Sequence, residues 1–285
     1  MQKIWVCGAR GQIGQAVNDV VDKLEFEMLD TDVDDLDVTD TDEVLRFGEM
    51  NRPDIIINCS GMTDISSCEE NPSQAFKVNA LGARNLAIVA AKMQAKMVQL
   101  STDDVFDGKS TEPYTEFDIT NPGTVYGKSK LAGENYVKEF TTKHFIVRST
   151  WVYGKGQNFI NGFLKKVDAG EQLSIASDQF GSPTSANELA RFLLHLVHTS
   201  EYGTYHATNK SVCSRYVFAQ EILKMTGKTA SMQPVPTVMS DFSKVRPAYA
   251  VLDNFIMSMV PIYDFPDWQD SLREYLEERG LYHAE

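Results

Sequence analysis

In NPGTVYGKSKLAGE, residues 121–134, a phenol and an ammonium stand four residues apart as Tyr126 and Lys130. Pro122 and Gly123 lead in, while Leu131, Ala132 and Glu134 continue a helical composition. The spacing predicts two side chains on one face of a helix, in its first turns. A plain surface pair would have the same spacing, but proton donation is the chemistry that needs both groups. A free phenol titrates near 10, too high for efficient proton transfer at neutral pH. An adjacent ammonium stabilises the phenolate and pulls that value down. Thr102 closes the apolar run of LSTDDVF and precedes Tyr126 and Lys130 by 24 and 28 residues. At a strand's carboxyl end, where open α/β sheets bind ligands, its hydroxyl would hold a carbonyl oxygen. Together the three groups suit carbonyl reduction.

A hydride donor has a candidate seat in CGARGQIGQ, where Gly8, Gly11 and Gly14 sit between an apolar run and an amphipathic one. Glycines at a βα turn let the backbone approach a pyrophosphate, whose charge then faces the helix N-terminus. The next apolar run ends in LDTDVDDLDVTDTDE, with acids from Asp30 to Glu43. Asp30 falls where a carboxylate would accept hydrogen bonds from an adenosine ribose. No Lys or Arg follows in that turn, although Arg10 could meet a 2′-phosphate, so NAD is favoured with NADP close behind. An EF-hand calcium loop is not expected, because its glycine and terminal glutamate are absent.

These residues need a frame. KIWVCG, FEMLD, PDIIINCS, AKMVQLST and KHFIVRST read as strands alternating with amphipathic helices. That order predicts an α/β fold, a Rossmann-like doubly wound parallel sheet with right-handed crossovers. After Trp151 the pattern loosens; GTYHATN reads as a strand returning to the sheet, and Thr229–Pro266 holds five of the ten prolines. The expected division is an NAD(P)-binding domain over 1–150, rejoined by about 183–210. A smaller, discontinuous C-terminal substrate domain would cover 151–182 and 211–285.

Bulk properties narrow the partners. A net charge of −13 argues against nucleic acid. No apolar stretch approaches the roughly 18 residues needed to cross a bilayer. MQKIWVCGAR reads as a buried strand rather than a signal peptide. Cys7, Cys59, Cys68 and Cys213 form no CxxC pair or metal-ligand spacing, so reduced core thiols and the cytoplasm are expected. His195 and His198 lie three apart without a third ligand, and no metal is expected.

The motifs GARGQIG, RPDIIINCSGMTD, STDDVFDG with PYTEFD, YGKSKLAGE, and RSTWVYG followed by DQFGSPTSANELA occur in one order. With a weaker match in RPAYAVLDN, the chain resembles the dTDP-4-dehydrorhamnose reductase family of extended short-chain dehydrogenases/reductases. The resemblance implies NAD(P)H-dependent reduction of a 4-keto deoxysugar nucleotide, with Thr102, Tyr126 and Lys130 catalytic. It implies a cofactor site that adds Gln12, Ile13, Asp37, Val38, Cys59, Ser60, Gly61, Thr63 and Asn79, the last as a structural helper. It implies a sugar-nucleotide pocket of Asp103, Asp104, Val105, Trp151, Gln179, Gly181, Pro183, Thr184 and Arg246. Asp104, Met62 and Ser66 depart from the family's usual Tyr, aromatic or His, and acid, and are expected beside that pocket. Gln15 replaces the acid of a magnesium-linked dimer, leaving a homodimer open but without metal. The resemblance also extends to a regulatory subunit of methionine adenosyltransferase and to nucleotide-sugar epimerases, which are the alternatives.

Overall fold

The computed structural model describes residues 1–239 and 248–283. Its central sheet contains β1 (Gln2–Cys7), β2 (Phe26–Thr31), β3 (Ile55–Asn58), β4 (Lys96–Thr102), β5 (His144–Ser149) and the strand Gly203–His206. Every pairing is parallel, and the spatial order runs from Gly203–His206 through β5, β4, β3 and β1 to β2.

Strands buried on both faces lose the polar alternation of a surface sheet. In β1 the residues Ile4 to Cys7 are all fully buried. Successive side chains nevertheless enter different cores, as the two-residue pleat requires. Ile4 and Val6 pack with Ile55, Ile57, Val98, Leu100, Phe145 and Val147 beneath helices α1 (Gln12–Val20) and Ala186–Val197. Trp5 and Cys7 face the opposite way, towards Ile56, Met97, Ile146 and the helix Ala83–Met93.

The chain winds outward from β1 to β2, then crosses back to β3. This reversal opens a crevice beyond the carboxyl ends of β1 and β3, the place where doubly wound folds bind ligands. A second layer lies past β5, with its own core built from Tyr153, Phe163, Phe218, Trp268 and Leu272. Met257 and Phe265, late in the chain, instead join the sheet's core.

Candidate active site

The glycine turn follows directly from β1. Gly8 has φ +75, a left-handed conformation that side chains rarely adopt, and a Cβ there would lie 2.8 Å from the backbone nitrogen of Ser60. The turn therefore presses against the chain leaving β3. Gly14 is one turn into α1 and does not line the crevice; its missing side chain lets the Gly8 carbonyl approach.

The helix Val125–Phe140 positions the phenol and ammonium. Thr124 caps it, its hydroxyl accepting from the Gly127 amide at 3.0 Å. A Cβ on Gly127 would lie only 2.0 Å from the Asp104 carbonyl oxygen, so the helix start rests directly on the backbone that follows Thr102. That contact brings β4 and the helix to one cavity of about 570 Å³, walled by Thr102, Asp103, Tyr126, Lys130 and Trp151. The same wall includes Arg10, Gly11, Gln12, Ile13 and Thr63.

A neighbouring cavity of about 400 Å³ runs from Gly8 past Asp32, Asp37 and Val38. Gly11, Cys59, Ser60 and Gly61 line both cavities. The pair forms an elongated trough across the glycine turn, the shape a dinucleotide requires. Leu36, Val38 and Val78 make its far end apolar, which suits a purine base.

Lys130 is buried, and desolvation lowers its pKa to about 8, partly opposed by Glu134 and Cys59. Glu134, one turn along, is itself fully buried and held bidentately by Arg148 at 2.9 and 2.7 Å. Ser101 donates to the same carboxylate at 2.6 Å. This network fixes the helix against β4 and β5. Burial raises the Cys59 thiol to about 12, so it remains neutral. Thr102 donates to Asp103 at 3.0 Å while accepting from the Asp104 amide at 3.2 Å.

Several expected residues stand elsewhere. Asp30 is exposed and lines neither cavity; Asp32, past the strand's end, accepts from the Arg10 amide at 2.8 Å and lines the trough. Asn79, in a π-helical turn over Lys77–Gly82, braces the Met62 backbone and bonds Ser129 from behind. Val105 belongs to a small core with Phe106 and Tyr114. Gln179, Gly181, Pro183 and Thr184 are buried behind the cavity rather than in its wall. They support Trp151: the Thr184 amide donates to its carbonyl at 3.3 Å, and a Cβ on Gly181 would lie 2.7 Å from its indole. The departures Asp104, Met62 and Ser66 also miss the cavity wall. Asp104 is buried, Ser66 is exposed, and Met62 lines the cofactor-side trough. Arg246 lies outside the described residues.

Two wall residues carried no sequence signal. Ser149 ends β5 beside Thr102, with a buried hydroxyl lacking a hydrogen-bond partner among the described residues. Arg215 lies 3.4 Å from the Trp151 ring centroid. Trp151 has φ +47, a strained conformation that costs a non-glycine residue about 1–3 kcal/mol.

A parallel sheet, a glycine turn at its switch point and Thr, Tyr and Lys on one cavity define an extended short-chain dehydrogenase/reductase. The comparisons narrow the class. A family model described as the RmlD substrate binding domain matches residues 1–280. A dTDP-4-dehydrorhamnose reductase from Clostridium acetobutylicum superimposes with TM-score 0.95 at 40% identity, over 98% of this chain and all of that one. The enzyme of that name from Bacillus anthracis, solved with NADP, gives 0.94 at 35% identity, over 98% and 100%. The spore coat polysaccharide biosynthesis protein SpsK of Bacillus subtilis is 35% identical over 98% of this chain and 99% of its own. The chain belongs to the dTDP-4-dehydrorhamnose reductase family.

Proposed function

We propose that the protein reduces the 4-keto group of dTDP-4-dehydrorhamnose to a hydroxyl, yielding dTDP-rhamnose with NADH or NADPH as reductant. The observation that carries the reading is the meeting of Thr102, Tyr126 and Lys130 on a cavity continuous with the glycine-turn trough. Gly8, Gly11, Asp32 and the backbone at Ser60 and Gly61 would hold the dinucleotide, which supplies the hydride when bound. Thr102 turns its hydroxyl from Asp103 to the substrate carbonyl oxygen. Tyr126 passes its proton to that oxygen as the carbonyl carbon is reduced. Lys130, cationic, stabilises the phenolate left behind.

Arg10 meets Asp34 and Asp35 at 3.1 and 2.9 Å, with Asp32 at 3.9 Å. Three carboxylates around the one guanidinium repel a 2′-phosphate, which favours NADH over NADPH. We infer a cofactor-binding unit over 1–150 and about 183–210, and a substrate unit over 151–182 and 211–285 that lends Met257 and Phe265 to the first. Four free cysteines suit a reducing compartment such as the cytoplasm.

The test is absorbance loss at the nicotinamide band with enzymatically prepared 4-keto-6-deoxy sugar nucleotides and each cofactor. Turnover to dTDP-rhamnose with higher kcat/KM for NADH is expected. Cofactor binding without turnover on any such sugar would instead favour a regulatory role.

A further inference from the structure

Two strands of the sheet end together at the catalytic cavity. Thr102 closes β4 and Ser149 closes β5, and the two are partners in the parallel register. Phe145 and Val147 share one core with Val98 and Leu100, so by the two-residue pleat Ser149 and Thr102 continue the same row. Arg148, one residue earlier, turns the other way to Glu134.

Ser149 lines the cavity, yet its hydroxyl is buried and has no hydrogen-bond partner among the described residues. Folding such a group away from water is costly, and at a cavity wall the missing partner is one that a ligand supplies. Gln12 and Tyr153 also keep an unpaired oxygen on this wall. The Gln12 amide nitrogen already holds the Gln157 carbonyl at 3.1 Å, and Tyr153 packs its ring into the second layer against Phe218 and Tyr275. Thr150, the next residue, has an unpaired hydroxyl as well but does not line the cavity.

The strand order decides which ligand group arrives at Ser149. From β2 the sheet runs through β1, β3 and β4 to β5, in steps of about 4.8 Å. The apolar end of the trough lies past β2, at Leu36 and Val38, and the glycine turn follows β1. A dinucleotide with its purine at the first and its pyrophosphate at the second extends its nicotinamide towards β4 and β5. The polar substituent of that ring is a carboxamide, acceptor and donor together, and a serine hydroxyl can pair with either.

Resting on the cofactor reading above, we propose that the Ser149 hydroxyl binds the nicotinamide carboxamide and so fixes which face of the ring meets the keto-sugar. Ser149 orients the ring; it takes no part in hydride or proton transfer.

Calorimetric titration of native protein and Ser149→Ala with NAD⁺ and with ADP-ribose, which lacks the nicotinamide, separates this role from a structural one. In the variant, NAD⁺ affinity is expected to fall about fivefold to tenfold, the weight of one neutral hydrogen bond. ADP-ribose affinity and KM for the sugar nucleotide should stay within twofold of native. The melting temperature without cofactor should hold or rise, because the change removes a buried hydroxyl that the chain leaves unpaired. An NAD⁺ analogue without the carboxamide should bind both proteins alike. NAD⁺ affinity within twofold of native, equal losses for NAD⁺ and ADP-ribose, or a loss confined to the sugar nucleotide would each overturn the assignment. Failure of the native protein to bind NAD⁺ would overturn it together with the cofactor site. Absent turnover would count against the reductase function alone, because the titrations judge Ser149 without substrate.

Discussion

The cofactor side and the substrate side of the cavity are built in different ways. On the cofactor side, a single short motif makes the turn, and backbone fills the contacts: Gly8 against Ser60, Gly11 against the Gly8 carbonyl. On the substrate side, Trp151, Gly181 and Arg215 come from three separate segments and meet only after folding. Backbone contacts tolerate little change in shape. An aromatic–guanidinium stack can accept new substrate groups by exchanging side chains. The contrast fits a fold that keeps one cofactor site while varying what it reduces.

Substitutions on the two sides should separate these properties. Lys130→Met, at the junction, should have the largest effect, lowering kcat/KM at least about a hundredfold. The same change should raise the melting temperature, because it removes a buried charge. The sign follows from the lysine's pKa, held at about 8 in the folded chain against an ordinary 10.5. Burying the ammonium costs on the order of 3 kcal/mol below pH 8. That cost fades as pH rises from 8 towards 10.5, so the native protein gains stability there while kcat/KM falls through pH 8. A pH–rate profile alongside thermal melts checks both limbs, and Lys130→Met should lose the stability limb.

Gly8→Ala comes next. A side chain at φ +75 costs about 1–2 kcal/mol and meets the Ser60 backbone. NAD⁺ affinity should drop at least about tenfold and the melting temperature should fall, as titration and thermal melts would report. Gly181→Ala should be mildest. Its methyl would lie 2.7 Å from the indole, closer than carbon atoms pack, so the ring must move aside, raising KM for the sugar nucleotide a few-fold with cofactor affinity unchanged. If Gly181→Ala weakened cofactor as much as substrate, the two sides would not be separable.

The same contrast governs what the sequence revealed. The parallel sheet was legible because its strands are apolar on both faces, and the meeting of Tyr126 and Lys130 on one cavity because they share one helical turn. Asp30 was expected at the trough, which Asp32, two residues on, lines instead: in a run of acids, composition does not tell the strand's last outward residue from the first one past its end. Asp32 becomes distinguishable only through the pairing of Cys7 with Thr31. Met62 was placed on the wrong side because the loop after β3 borders both cavities. Gln179, Pro183 and Thr184 were identified as a group near Trp151, but their burial behind it depends on tertiary packing. Arg215 had no motif at all, since its setting is an indole brought close by the fold.

The central claim is that the Tyr126 hydroxyl delivers the proton. Single-turnover reduction of dTDP-4-dehydrorhamnose by native protein and Tyr126→Phe, each saturated with NADH, tests it most directly. The account predicts a rate at least about a hundredfold lower in the variant, with NADH affinity within a few-fold of native. Equal rates would contradict it.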